Sequence, residues 1–80
     1  MKSLQQWRVS RLLGVKALAA KAGVSNKTIV EIEHGRQIAR FRTIQRLSAA
    51  LDVEPREVTE FARAMALASG DANADSEEGV

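Results

Sequence analysis

Along most of this 80-residue chain, apolar residues recur at three- and four-residue spacing, the mark of helices with one buried face. LQQWRVSRLL sets Leu4, Trp7 and Arg8 on one face and then reaches Leu12, before Gly14 breaks the period. VKALAAK is Ala-rich and favours helix, with Leu18, Ala19 and Ala22 inward. Ala22-Gly23-Val24 reads as a sharp turn, because Gly23 can take positive φ without strain. Ser25 is a good N-cap for a helix through Ile29, Ile32 and Glu33, and Gly35 sits just past His34, where a helix-ending glycine belongs. The loop GRQIARFR leads to a helix carrying Phe41, Ile44, Leu47 and Leu51. Asp52 and Val53 connect to a last helix, with Pro55 at its first position, Glu57 supporting its start, and Val58, Phe61, Ala62 and Met65 as its stripe.

No strand pattern and no internal repeat appears, so the expected fold is all-α: a compact bundle of five short helices. After Ser69 the period stops, and GDANADSEEGV offers little bulk and four acids. The expected organisation is one folded domain over 1–69 and an acidic disordered tail over 70–80.

One helix carries more polarity than a small core needs. In KAGVSNKTIVEIEHG, one face holds Asn26, Lys27, Thr28 and Glu31. Charge gives that face a context. Net charge is only +2, yet residues 1–51 hold ten Lys/Arg against Glu31 and Glu33, whereas residues 52–80 hold Arg56 and Arg63 against eight acids. A front half at +8 and a rear at −6 suggest a front that meets a polyanion.

Composition removes several function classes. Eighty residues bury a modest core, so an active cleft would be shallow. The absence of cysteine excludes disulfides, zinc fingers and thiol catalysis. No nucleophile–base set, metal-ligand cluster or phosphate loop is present, and a lone histidine, His34, is poor material for either an enzyme or a metal site. The chain is therefore expected to have no catalytic residue and no cofactor. It opens at Met1 without an apolar signal region or a run long enough to span a bilayer, so a complete cytoplasmic protein with no membrane association is expected.

Residues 15–34 meet a specific requirement. Ala19 is small where a second helix must cross closely, Gly23 turns the chain, Val24 plugs the corner, and Ile29 with Ile32 anchor the second helix. With LAAKAGVSNKTIVEIEHG, the later LSAALDVEPREV, and LQQWR at the opening, the chain resembles the Cro/repressor-type (XRE-like) helix-turn-helix proteins over roughly residues 4–62. Trp7 stands where that family usually has an aliphatic residue.

The resemblance implies a lambda-repressor-like DNA-binding domain of five helices, and a dimer that sets its third helix in the major groove of double-stranded DNA. Asn26, Lys27 and Glu31 fall where that family reads bases: Asn suits adenine, Lys donates to guanine, and Glu accepts from the cytosine amino group. Ser25 and Thr28 can reach a phosphate, although capping is their simpler role, and pairing with Lys27 is the simpler role for Glu31. His34 and Arg36 follow the helix where the family contacts the backbone, and Arg8 with Glu33 match its buried ion pair.

Two departures stand out. The family usually opens helix two with a Ser or Thr cap and a phosphate-contacting Gln; here Gly14 and Val15 stand there, and Lys16 is the nearest electrostatic substitute. Helix four usually opens with a small cap and an acid; here Arg40 and Arg42 oppose the helix dipole, which makes sense if a phosphate sits between them. The simpler alternative is that Thr43 caps a shorter helix. Phe61, Met65 and Leu67 are candidates for a self-complementary dimer patch, or else plain monomer core.

The sequence thus points to a sequence-specific transcriptional regulator, a homodimeric repressor. The alternative is a protein-interaction module on the same fold, an antitoxin or adaptor, whose acidic tail or last helix holds a partner protein. An RNA-binding domain is disfavoured because Trp7, Phe41 and Phe61 all take core positions in the pattern.

Overall fold

A computed structural model describes residues 1–70. Within these residues five α-helices form in chain order: α1 (Leu4–Ser10), α2 (Val15–Ala22), α3 (Asn26–Glu33), α4 (Phe41–Leu51) and α5 (Thr59–Gly70), with a 3-10 turn at Pro55–Glu57. Among the described residues there is no sheet, only an isolated parallel bridge between Lys2 and Val58.

Local chemistry sets the helix ends. Ser3 and Gln6 form a reciprocal capping box on α1, the Ser3 hydroxyl accepting from Gln6 N–H and the Gln6 side chain accepting from Ser3 N–H. α2 ends at Gly23, which takes φ +73° and lets the chain reverse into α3. Gly35 does the same after α3, also at φ +73°. α2 packs on both α3 and α4, and α1 packs on α3. The core comprises Leu4, Leu18, Ile29, Ile32, Leu47, Leu51, Val58 and Phe61, all essentially inaccessible, with Ala19 and Ala22 where α2 meets its neighbours.

Three departures from the apolar pattern have physical causes. α1 stops at Ser10, so Leu12 does not continue its stripe: it takes φ +60° and stands 93% exposed, while Leu13 packs on the core. Pro55 does not open the last helix. Val58 is extended so that Lys2 can pair beside it, which separates the 3-10 turn from α5. Phe41 opens α4 beyond the reach of the core and is 59% exposed, so only Phe61 of the two phenylalanines is buried. Trp7 is half-buried, its Nε1 donating to the Glu57 carbonyl at 3.0 Å, with Lys2 and Arg11 over its ring.

Candidate nucleic-acid interface

α2 and α3 form the helix-turn-helix. Ile29 and Ile32 bury the inner face of α3, which turns Asn26 and Lys27 outward, both exposed, with Glu31 one turn further along and partly exposed. Spacings of three and four residues place Val30 and His34 on this same face. Val30 was not singled out by sequence reasoning. Its branched aliphatic side chain reads as core, yet it is only half-buried and lies between Asn26, Lys27 and His34.

The hydroxyls at the start of α3 are already engaged. Ser25 Oγ accepts from Thr28 N–H at 3.1 Å and lies 2.8 Å from Thr28 Oγ1. Whichever hydroxyl donates in that contact, the other keeps a hydrogen to give. Glu31 pairs with Arg36 at 3.1 Å rather than with Lys27. Arg36 thus supplies the donor that a carboxylate on this face requires, and it is itself widely exposed. His34 Nδ1 lies 2.8 Å from the Val30 carbonyl, which fixes that nitrogen as a donor and leaves Nε2 for an outside partner.

The cations divide into two sets that sequence counts alike. Arg8, Arg11 and Arg46 are structural. Arg8 Nε donates to Glu33 Oε2 at 2.8 Å, and its Nη1 donates to the Leu13 carbonyl at 3.0 Å. Arg11 Nε donates to the Leu51 carbonyl at 2.8 Å, closing the C-terminus of α4. Arg46 Nη1 donates to the Gly23 carbonyl at 3.1 Å, tying α4 to the turn before α3. Lys16, Lys21, Lys27, Arg40 and Arg42 are exposed and form no ion pair among the described residues.

Arg42 precedes Arg46 by four residues and so shares its side of α4, the side facing the α2–α3 turn. Arg40 is the N-cap residue of α4 and makes no side-chain cap bond; the helix starts at Phe41, not at Thr43. The opening amides of α4 therefore have no side-chain partner, and two unpaired guanidinium groups flank them. Lys16 stands in the first turn of α2, whose N-cap Gly14 likewise offers no side-chain bond.

The dimer candidates separate. Phe61 is wholly buried in the monomer core, so it brings no surface to an interface. Met65 is partly buried and lines an apolar cleft with Phe41, Ile44, Gln45 and Pro55, and Leu67 is half-exposed. Residues 71–80, most of the expected tail, lie outside the described residues. Among the described residues no helix is long and apolar enough to cross a membrane, and no group of three or more His, Cys, Asp or Glu is placed to hold a metal.

An all-helical bundle with a tight α2–α3 turn, a buried inner face on α3 and a polar outer one defines a helix-turn-helix domain, an architecture that serves DNA-binding regulation. The Helix-turn-helix family model matches residues 4–58, and the chain belongs to that family. No curated protein and no solved structure matches the chain.

Proposed function

We propose that this protein is a sequence-specific regulator of transcription that binds double-stranded DNA as a homodimer and represses by occupying its site. The observation that carries the reading is the outer face of α3. Asn26 and Lys27 project from its first turn, Lys27 without an ion-pair partner among the described residues, on a helix whose N-terminus is already capped by Ser25 and whose far end is tied down by the Arg8–Glu33 pair. Asn26 suits an adenine edge, Lys27 a guanine, Val30 a thymine methyl, and Glu31, held by Arg36, a cytosine amino group. Lys16, Arg40, Arg42, Arg36 and His34 take phosphates, as do the hydroxyls of Ser25 and Thr28, and these contacts fix register without reading sequence.

Met65 and Leu67, with the exposed Phe41 and Ile38, are the apolar surface offered to a second copy. The same surface favours a second reading, a module that holds a different partner protein in the manner of an antitoxin or adaptor. Gel-shift titration of a duplex pool at several salt concentrations tests the primary reading. It predicts discrete complexes whose affinity falls steeply as salt rises. Absence of any complex at low salt would transfer the assignment to the partner-binding module.

A further inference from the structure

We infer that the cleft between α1, the C-terminal end of α4 and the 3-10 turn binds a small organic diammonium, a short alkyl chain with a protonated primary amine at each end. The site shares no residue with the outer face of α3 or with the apolar surface offered to a second copy. The inference therefore goes beyond the DNA-binding reading and does not rest on it.

Ser48 is the first observation. It stands in the wall of this cleft of about 370 Å³, is only 5% exposed, and its hydroxyl has no hydrogen-bond partner among the described residues. Its neighbours in LSAAL are all apolar, and alanine is the better helix former, so neither packing nor propensity calls for a hydroxyl there. A buried hydroxyl needs a partner, and the cleft is the side from which one can come. An N–H donor on a ligand meets that need, because the serine oxygen can accept.

Charge then fixes the class of ligand. Asp52, Glu54 and Glu57 line the cleft, are exposed, and form no ion pair among the described residues. Arg11 lines it with them, but its guanidinium is bound to the Leu51 carbonyl at 2.8 Å and to the Asp52 carbonyl at 3.4 Å. Three carboxylates against one engaged guanidinium attract a cation. The carboxylates do not converge tightly enough to hold a metal ion, so one compact ion cannot serve them together. Two ammonium groups on a short chain can: one donates to the Ser48 hydroxyl, the other to the carboxylates of the 3-10 turn. Trp7 and Val53 give the methylenes an apolar wall. The Trp7 Nε1 is taken by the Glu57 carbonyl, so the indole offers the chain contact and no hydrogen bond.

Trp7 is the only tryptophan in the chain and lines the cleft, so its emission is a local reporter. The test titrates 1,4-diaminobutane into the full-length, DNA-free protein at about 0.15 M NaCl, against added NaCl of equal ionic strength. The proposal predicts a saturable change in emission with a dissociation constant at or below about 1 mM. Ser48→Ala removes no charge, yet should weaken binding about tenfold; Glu54→Gln, at an exposed position, should weaken it about threefold. Tetramethylammonium has no N–H to donate and should bind at least about tenfold more weakly. A response that follows NaCl and does not saturate overturns the proposal. Equal affinity in Ser48→Ala overturns it too, since the amine would then meet only an acidic surface and the hydroxyl only water. Equal binding of tetramethylammonium overturns the assigned hydrogen bond and with it the site.

Discussion

Arg8 of α1 and Glu33 at the end of α3 meet in a two-point ion pair, Nε to Oε2 at 2.8 Å and Nη2 to Oε1 at 3.3 Å, with side chains only 11% and 7% exposed. The pair fixes the far end of the proposed reading helix to the first helix, while Ser25 and Gly23 fix its near end. Removing one partner strands the other charge, which costs about 3–5 kcal/mol when the pair is buried. For a domain whose whole stability is of the order of 5–15 kcal/mol, that is a large share. Arg8→Ala or Glu33→Ala should therefore lower the denaturant midpoint strongly. The double replacement Arg8→Met with Glu33→Leu should recover most of the loss; a double variant as unstable as either single one would show that the pair is not the source.

Lys27 and Arg40 should fail differently. Lys27→Ala removes a proposed base contact worth about 1–3 kcal/mol at particular base pairs, so discrimination there should relax. Arg40→Ala removes a proposed phosphate contact, so binding should weaken alike on every duplex and the salt slope should fall by about one unit. Titrating both variants on a selected site and on random duplex separates the two. Identical behaviour would dissolve the division into readers and positioners.

Ser48 is buried in α4, and its hydroxyl has no hydrogen-bond partner among the described residues. A buried hydroxyl left unpaired costs about 1–3 kcal/mol, and alanine is also the better helix former by a few tenths. Ser48→Ala should thus raise stability by about 1 kcal/mol in urea unfolding. A loss of similar size would mean that the hydroxyl is bonded in solution.

Phe41 tests the proposed dimer surface without entering the core. Because it is 59% exposed, Phe41→Glu should change monomer stability by less than about 1 kcal/mol. It should nevertheless raise the dimer dissociation constant at least tenfold in sedimentation equilibrium, since a carboxylate would face an apolar partner. Unchanged self-association would place the interface elsewhere.

The parts of the fold legible in sequence are those fixed by near neighbours. Ser25 capping α3, Gly23 turning the chain and Gly35 ending α3 are each set within a few residues, so composition and spacing expose them. What escaped was set across the chain. Glu60 accepts from Leu4 N–H at 2.7 Å, Arg11 reaches the Leu51 carbonyl, and Lys2 pairs beside Val58, separations of 56 residues, 40 residues and a comparable span that no local pattern encodes.

The candidate site was legible to the same limit. The polar face of α3 follows from helical period alone, so Asn26 and Lys27 stand out. Period does not say which cations are already bound, and Arg46 in sequence looks no different from Arg42. Nor does it say how far a neighbouring helix extends, which decides that Phe41 is exposed while Ile44, one turn on, is buried.

The central claim is that the outer face of α3 reads DNA sequence, and selection of bound duplexes from a random pool tests it most directly. The account predicts an enriched palindromic site whose half-sites lie about one helical turn apart, with enrichment at defined positions lost in Asn26→Ala and Lys27→Ala. A pool that stays random after repeated selection, at salt low enough for the protein to bind, would contradict it.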